Sequence, residues 1–246
     1  MKKANYSYIG ISFIVLVFGI YFIPKIIDRI NDNDISREES RTDFAKDKKS
    51  IPSDLAFIEI NGKSKRVPHF SFINQDGKTI TDKDYNGKVY IIEFFFTTCP
   101  TICPRMNANL IKIQNEFTEF DNFGVASFTI NPEHDTPEVL KAYANKYGVT
   151  NPNWNLMTGN QEDIYKLANE GFNLYTAQDD SVTGGFEHSG NFALIDKNGF
   201  IRSRVVGGNP IIFYNGMISE SEEEDEAGMK EEITMLKEDI AKLLKE

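Results

Sequence analysis

The sequence predicts a mixed α/β domain, in which a central sheet is flanked by helices, behind an N-terminal transmembrane helix. Three observations lead to this fold class. Apolar runs of strand length alternate with segments of helical periodicity. An uncharged stretch near the N-terminus is long enough for a bilayer core. The chain has 246 residues, of which 40% are hydrophobic, so it can form one folded domain with appendages and is not globally disordered.

The uncharged stretch is "YSYIGISFIVLVFGIYFIP", residues 6–24, and two lysines precede it. As a helix, residues 6–23 extend roughly 27 Å, about the thickness of the hydrocarbon core. A cleaved signal peptide is the alternative, although the run is long for one and no small-x-small cleavage site follows it. We therefore predict an uncleaved anchor over residues 1–27. Since no Arg- and Ser-rich transit peptide precedes it, we expect a bacterial inner membrane.

Residues 28–56 are polar and mixed in charge, and we predict that they tether the anchor to a folded domain of residues 57–246. With the N-terminus in the cytoplasm, this domain faces the periplasm. The net charge of −10 argues against nucleic acid as a partner, because phosphate binding needs clustered Lys and Arg. Much of the acidity lies in "ESEEEDE", residues 220–226, which we interpret as a solvated loop.

The predicted strands are apolar runs bounded by turn signals. A first hairpin joins "HFSFI" to "KTIT" through the Asp-Gly pair at 76–77. The segments "KVYIIEFFF" (88–96) and "FGVASFTI" (123–130) are almost wholly apolar, which is typical of strands buried on both faces. A second hairpin joins "NFALID" to "FIRSRVV" through the Asn-Gly pair at 198–199.

The predicted helices have recognisable ends. One begins near Pro104, since proline suits the first helical turn. Two others, at 136–148 and 160–171, start with a threonine and an asparagine cap, and each ends at a glycine. The last helix places five apolar residues on one face: Met229, Ile233, Leu236, Ile240 and Leu243.

The order is therefore strand, helix, strand, helix, helix, hairpin, helix. A strand that ends in paired cysteines, which in turn open a helix, is the thioredoxin arrangement. The chain's two cysteines, Cys99 and Cys103, form C-x-x-x-C, one residue longer than the thioredoxin redox spacing. Cys103 lies at the predicted helix N-terminus, where backbone N–H groups and the helix dipole favour a thiolate, the form that attacks disulfides and binds metals.

Several uses of this pair remain open. A structural disulfide suits a protein outside the cytoplasm, although so small a loop removes little chain entropy. A thiol peroxidase has a threonine three residues before its reactive cysteine, where this chain has Phe96 and Pro100. A thioredoxin-type reductase usually has a proline just before the strand that faces the active site, and here His188 takes that place.

His188 stands at the start of "NFALID", a strand that the inferred fold places beside the one ending near Cys99. Together with Cys103 this gives two thiolates and one imidazole. That donor set suits copper, as Cu(I) through the sulfurs and as Cu(II) with the imidazole added. Structural zinc normally takes a fourth protein ligand, and no third cysteine is present. Alone, His188 would be interpreted as a turn residue near a hairpin.

Three segments, "FFFTTCPTICPRM", "NPEHDTPEVLKAYA" and "EHSGNFALIDKNG", resemble the signature segments of the Sco/SenC family. The resemblance covers about residues 57–205 and the C-terminal helix. It implies a membrane-tethered, thioredoxin-like copper protein with Cys99, Cys103 and His188 as metal ligands. It further implies delivery of copper to the binuclear copper site of cytochrome c oxidase during assembly. The implied partners are the copper-accepting oxidase subunit and a thiol reductant protein.

Some residues depart from the family pattern, whereas Asp135 matches it. The family usually has Asp, Arg, Asp and Thr at four positions that this chain fills with Asn131, His134, Glu187 and Gly190. None of these changes removes a ligand. His69 begins a predicted strand at a position that is not a ligand in the family. We interpret His134 as a surface residue and expect core packing for Met106, Trp154 and Met157.

Two functions of different class follow. The first is a copper metallochaperone, which is not an enzyme. The second is a thiol–disulfide oxidoreductase that reduces cysteines of a target protein, with Cys99 and Cys103 as the redox pair and His188 tuning their pKa. A copper-responsive redox sensor is a third possibility, and no residue argues for it or against it. Residues 207–226 receive no role from either function.

Overall fold

The computed structural model describes Phe18 and residues 55–60, 62–179, 181–182, 184–225 and 228–246. The chain divides into two units, Met1–Pro52 and Ser53–Glu246. In the first unit Phe18 is described, and it is helical and exposed. The rest of the predicted anchor (1–27), and the predicted tether as far as residue 54, lie outside the described residues. Within the described part of the chain, no helix combines the length and the apolar character needed to cross a bilayer.

The second unit is built on short and medium β-strands. Their bounds are β1 (Leu55–Phe57), β2 (Glu59–Ile60), β3 (Lys63–Ser64), β4 (Ser71–Asn74), β5 (Thr79–Thr81), β6 (Val89–Phe95), β7 (Phe123–Thr129), β8 (Trp154–Thr158), β9 (Thr176–Gln178), β10 (Phe186–His188), β11 (Asn191–Ile195), β12 (Ile201–Val206), β13 (Asn209–Pro210) and β14 (Tyr214–Asn215).

The α-helices are α1 (Cys103–Glu116), α2 (Pro137–Tyr147), α3 (Gln161–Lys166) and α4 (Ile233–Lys245), with a 3₁₀ turn at Asp82–Tyr85 and a π-helical turn at Leu167–Phe172. As predicted, α2 begins after a capping threonine: the hydroxyl of Thr136 accepts the N–H of Val139. It ends at Gly148, whose φ of 80° is left-handed. Pro104 lies in the first turn of α1, as predicted.

The main sheet has the strand order β1-β12-β11-β6-β7-β8-β4-β5, with β13 beside β12 and β14 beside β11. Strands β6, β7 and β8 run parallel, whereas β11 is antiparallel to β6. All residues of β6 and β7 are buried, so the prediction of two strands covered on both faces is confirmed. Two small ribbons, β2–β3 and β9–β10, form separate sheets.

Some boundaries differ from the prediction. The helix predicted to end at Gly171 instead passes into the π-helical turn and ends at Asn173, whose φ of 54° is left-handed. Met229, predicted on the apolar face of the last helix, precedes α4 and is 44% exposed. The helix begins at Ile233, and the carboxylate of Glu231 accepts the N–H of Thr234 in its first turn.

Strand β8 was not predicted as a separate element, and strand β1 begins at Leu55, two residues before the predicted start of the domain. The predicted core packing of Trp154 and Met157 in β8, and of Met106 in α1, is confirmed. Trp154, Met157 and Met106 are fully or almost fully buried.

Candidate metal centre

The two cysteines lie in the turn between β6 and α1. Cys99 follows β6 by four residues, and its N–H donates to the carbonyl of Phe96 at 3.2 Å. Cys103 is the first residue of α1 and is completely buried, whereas Cys99 is 8% exposed. Both thiols are free. The carboxyl end of a central strand therefore presents two buried cysteines, of which Cys99 keeps a small exposed fraction.

His188 is the last residue of β10, in the antiparallel ribbon with β9. Strand β11 starts three residues later and pairs with β6 in the register Ala193 opposite Ile92, which confirms the predicted neighbourhood of these two strands. The start of β11 thus lies beside the end of β6, and His188 reaches the cysteine turn. Its ring meets Phe96 edge-on, with the centroids 5.6 Å apart.

The structure brings the three predicted ligand residues together. The Nε2 atom of His188 lies 3.3 Å from the Sγ atom of Cys103 and 4.0 Å from that of Cys99. The three donor atoms all lie within 4.8 Å of one another. Metal bonds of about 2.0–2.3 Å to nitrogen and sulfur set neighbouring donors about 3.5–4 Å apart, so a metal needs only small adjustments here.

The two sulfurs differ in their electrostatics. The thiol of Cys103 donates to the sulfur of Cys99, and this hydrogen bond is the main cause that lowers the pKa of Cys99 to about 3. The backbone N–H of Cys103 also points to that sulfur, at 3.5 Å. Burial raises the pKa of Cys103. The first N–H of the helix, which we expected to favour a thiolate at Cys103, points to the sulfur of Cys99 instead.

A buried carboxylate fixes the start of the cysteine turn. Asp135 is fully buried and accepts the N–H of Thr97 at 3.0 Å, as well as the Thr97 hydroxyl. It also accepts the hydroxyl of Thr129 at the end of β7, at 2.5 Å. Because Thr97 precedes Cys99 by two residues, Asp135 ties the cysteine turn to the end of the neighbouring strand. Sequence reasoning recorded Asp135 as a match to the family without giving it this role.

The other histidines lie apart from the cysteine pair. His134 has the exposed side chain predicted for it, and its Nδ1 atom lies 2.8 Å from the carboxylate of Asp135. His69 is also exposed and lies 2.5 Å from Asp82. Over the described ranges, Cys99, Cys103 and His188 are the one cluster of three or more His, Cys, Asp or Glu residues whose donor atoms converge.

A cavity of about 220 Å³ opens beside the site. Cys99 and His188 line it, whereas Cys103 does not, in keeping with its complete burial. The remaining lining is largely apolar, with one threonine and one glutamate: Phe96, Thr101, Ile102, Val182, Phe186 and Glu187. A molecule that approaches the site from this side meets one sulfur and the imidazole first.

These features define a class of protein: a thioredoxin-like domain whose paired cysteines and a distant histidine form a soft-donor site. The family model described as SCO1/SenC matches residues 59–217, and the chain belongs to the SCO1/SenC family.

Relatives and solved structures agree with this assignment. The SCO1 protein homolog of Bacillus subtilis (strain 168) is 33% identical over 138 residues, which are 54% of this chain and 69% of that protein. The crystal structure of a SCO1/SenC family lipoprotein from Bacillus anthracis superposes with a TM-score of 0.60 at 32% identity, over 73% of this chain and 95% of the other.

Two further solved structures share the fold. BsSco, described as a member of the Sco family of cytochrome c oxidase assembly proteins with a disulfide switch, matches with a TM-score of 0.58 at 26% identity, over 73% of this chain and 94% of the other. ScoI of Bradyrhizobium japonicum, solved with copper bound, matches with a TM-score of 0.52 at 20% identity, over 72% of this chain and 99% of the other. At that identity ScoI supports the fold alone.

Proposed function

We propose that this protein is a copper metallochaperone, which holds one copper ion through Cys99, Cys103 and His188. The observation that carries the proposal is the convergence of two sulfurs and one imidazole nitrogen within 4.8 Å. Membership of the SCO1/SenC family supports it. We further propose that the recipient is the binuclear copper site of a cytochrome c oxidase, in keeping with the description of BsSco.

The donor set favours copper over zinc. Thiolate and imidazole ligands suit Cu(I) and Cu(II), whereas structural zinc sites are usually four-coordinate. Within the described residues no fourth His, Cys, Asp or Glu donor joins the three. With three protein ligands, copper keeps a coordination position for one more donor. A protein that transfers its metal requires such a position, because the recipient's ligand can bind there.

The accessibility of the three ligands suggests an order for the transfer. A cysteine of the recipient enters through the cavity and meets the side of the site formed by Cys99 and His188. The recipient's thiolate binds copper there, and Cys103, which is fully buried, is the last ligand to let go. Since thiolates bind the metal, a disulfide between Cys99 and Cys103 blocks loading, and a thiol reductant protein is needed to keep the pair reduced.

The test is copper binding by the reduced full-length protein. We expect one copper per chain, with a Cu(II) spectrum that changes in His188→Ala and is lost in Cys99→Ser and Cys103→Ser. The matched control is His69→Ala, which removes an exposed imidazole outside the cluster, one whose carboxylate partner is Asp82. If His188→Ala binds copper as tightly as the wild type, and with the same spectrum, the three-ligand site is wrong.

Cys99 and Cys103 differ in burial and in the direction of their pKa shifts, and this difference favours a second function, a thiol–disulfide oxidoreductase. Cys99, which lines the cavity and has a lowered pKa, suits attack on a disulfide of a target protein, and this forms a mixed disulfide and frees one target thiolate. Cys103 then attacks Cys99, which releases the second target thiolate and leaves a Cys99–Cys103 disulfide for an external thiol reductant. Excess copper should rescue cells that lack a chaperone, whereas cells that lack this reductase should stay deficient in spite of copper.

We also propose that residues 1–27 anchor the protein in a bacterial inner membrane, with residues 57–246 in the periplasm. The length and lack of charge of residues 6–24 support this arrangement. The test is fractionation after alkaline carbonate washing. We expect the full chain in the membrane pellet, and release of the protein by carbonate would contradict a spanning anchor.

A further inference from the structure

The segment that links β13 to α4 has no role in the functions above. Residues 214–222, which we name the strap, run between the first turns of α1 and the turn that follows His188. The strap begins as β14, which pairs with the start of β11, Asn215 lying opposite Asn191. No role was predicted for residues 207–226, and the last three residues of the strap belong to the acidic run 220–226 that was predicted to be a solvated loop.

On its α1 side the strap is held by two side chains. Asn109, 1% exposed, donates to the carbonyls of Gly216 at 3.0 Å and Ile218 at 3.3 Å. Arg105 donates from Nε to the carbonyl of Met217 at 3.0 Å and from Nη2 to the carboxylate of Glu222 at 2.8 Å. Both lie in the first two turns of the helix that begins with Cys103, so the strap is attached close to the sulfurs.

On its other side the strap meets Gly190. The N–H of Gly216 donates to the Gly190 carbonyl at 2.8 Å. The side chain of Met217 fills the space where a Cβ on residue 190 would lie, since that Cβ would be 2.4 Å from Cγ and 2.5 Å from Sδ of the methionine. Gly190 has no left-handed backbone, so glycine is needed here for space and not for conformation.

The turn that the strap holds also orients the imidazole. The Nδ1 atom of His188 lies 3.2 Å from the carbonyl of Ser189, and this contact suits an Nδ1–H tautomer whose free Nε2 faces the sulfurs. Ser189 lies directly between His188 and Gly190. A shift of the backbone at Gly190 is therefore transmitted to the ring.

We propose that the strap is a positioning element that sets the distance between His188 and the cysteine pair, with Met217 as its key side chain. It links the helix that starts at Cys103 to the turn that aims Nε2. The inference rests on the proposed copper function for its metal readouts. Met217 acts through packing against Gly190, and its sulfur does not bind the metal.

The experiment compares four variants of the full chain. Met217→Ala empties the space beside Gly190, and Gly190→Ala forces Met217 out of it. Met217→Leu keeps an apolar side chain of similar size but removes the sulfur, and Met229→Ala truncates a methionine that is exposed. Thermal unfolding of each variant shows whether it is folded before any metal is added.

The first readout needs no metal. In the metal-free protein, amide hydrogen exchange of residues 188–191 should speed up in Met217→Ala and Gly190→Ala and stay unchanged in Met217→Leu and Met229→Ala. The second readout is the release of copper to a chelator, together with the Cu(II) spectrum. We expect release to be about tenfold faster in the first two variants, with an altered spectrum.

The measurements distinguish a positioning role of the strap from a thioether ligand and from failure of the copper proposal. Wild-type exchange and wild-type copper release in both Met217→Ala and Gly190→Ala would overturn the positioning role. A spectrum altered as much in Met217→Leu as in Met217→Ala would overturn it in favour of a thioether ligand. If the wild type binds no copper, the proposed function fails, and the exchange measurement still decides on the strap. In a fifth variant, which combines Gly190→Ala with Met217→Ala, the glycine substitution should add little to the effect of Met217→Ala alone, because no Met217 side chain remains to be displaced.

Discussion

The Nε2 atom of His188 lies 3.3 Å from the Sγ atom of Cys103, although 85 residues separate the two in the sequence. Strand pairing accounts for this contact. Strand β11 runs antiparallel to β6, so it starts where β6 ends, and the residues before it meet the turn after β6. The site is thus built at one end of the central strands, where two separate connections of the chain come together.

Removal of the Asp135 carboxylate should loosen the cysteine turn. In Asp135→Ala the N–H of Thr97 and the hydroxyls of Thr97 and Thr129 lose a buried acceptor, so we expect the free energy of unfolding to fall by about 2–4 kcal/mol. Urea denaturation measures the change. The control is Asp76→Asn, which breaks an exposed ion pair with Lys141 and should cost less than about 1 kcal/mol. Equal losses of unfolding free energy in the two variants would show that the Asp135 carboxylate does not stabilise the cysteine turn.

Glu93 predicts a pH dependence of stability. Burial raises the pKa of Glu93 from 4.5 to about 7, in spite of the hydrogen bond from the hydroxyl of Ser127 at 2.6 Å. The folded state therefore retains a proton that the unfolded state has lost between pH 4.5 and about 7. Stability should fall as the pH rises through this window and then level off, by about 3 kcal/mol in all for this group.

The variant Glu93→Gln, which cannot ionise, should lose this component of the pH dependence. Urea denaturation at pH 5, 6, 7 and 8 measures it, with Glu119→Gln on the exposed surface as the control. A wild-type slope that persists unchanged in Glu93→Gln would assign the pH dependence to other groups.

The cysteines should differ in their reactivity towards iodoacetamide. Cys99 has a pKa lowered to about 3 and lies on the cavity, so its alkylation should be faster than that of the buried Cys103 and nearly constant from pH 5 to 8. In Cys103→Ala the thiol that donates to Cys99 is gone, the pKa of Cys99 rises, and the rate should then increase with pH. Cys103→Ser, which keeps a donor, should show a weaker change. Mass spectrometry of the labelled peptides measures both rates, and preferential labelling of Cys103 would contradict the assignment.

Asp239 should be essential for the attachment of α4. It is fully buried, and it accepts hydrogen bonds from the guanidinium of Arg204 and, at 2.8 Å, from the hydroxyl of Tyr214. Asp239→Ala leaves Arg204 without its buried partner, so we expect a loss of about 3–5 kcal/mol in urea denaturation. The neighbouring variant Glu238→Ala removes an exposed carboxylate from the same arginine and should cost about 1 kcal/mol or less. Comparable losses in the two variants would contradict the greater contribution of the buried Asp239 carboxylate.

Local patterns in the sequence were sufficient to predict the central strands and helices of the fold. They also predicted that the three candidate ligands lie close together. The wholly apolar runs of β6 and β7 and the capping signals of α2 need no information from elsewhere in the chain. Cys99, Cys103 and His188 were placed together by the inferred strand order, because neighbouring strands bring their ends into contact. The metal that these residues bind stays a proposal.

The features that were missed depend on contacts between distant segments. Asn109 looks like an ordinary polar helix residue in the sequence, and its burial makes sense only with the strap carbonyls that it binds. The preference for a thiolate at Cys99 depends on which sulfur the first N–H of α1 faces, and spacing alone does not fix that geometry. Residues 220–224 are exposed, as predicted for a solvated loop, but the ion pairs of Glu222 with Arg105 and of Glu220 with Lys237 were not predicted.

Among the described strands, the one that carries the imidazole of His188 is not paired with the main sheet. The ribbon β9–β10, which carries His188, forms its own small sheet and shares no strand pairing with the ten-stranded sheet in the part of the chain that the structure describes. Withdrawal of the ring from the sulfurs therefore breaks none of the ladder hydrogen bonds that hold the domain together. Opening of the proposed three-ligand site by withdrawal of His188 is therefore not tied, through strand pairing, to the unfolding of the domain.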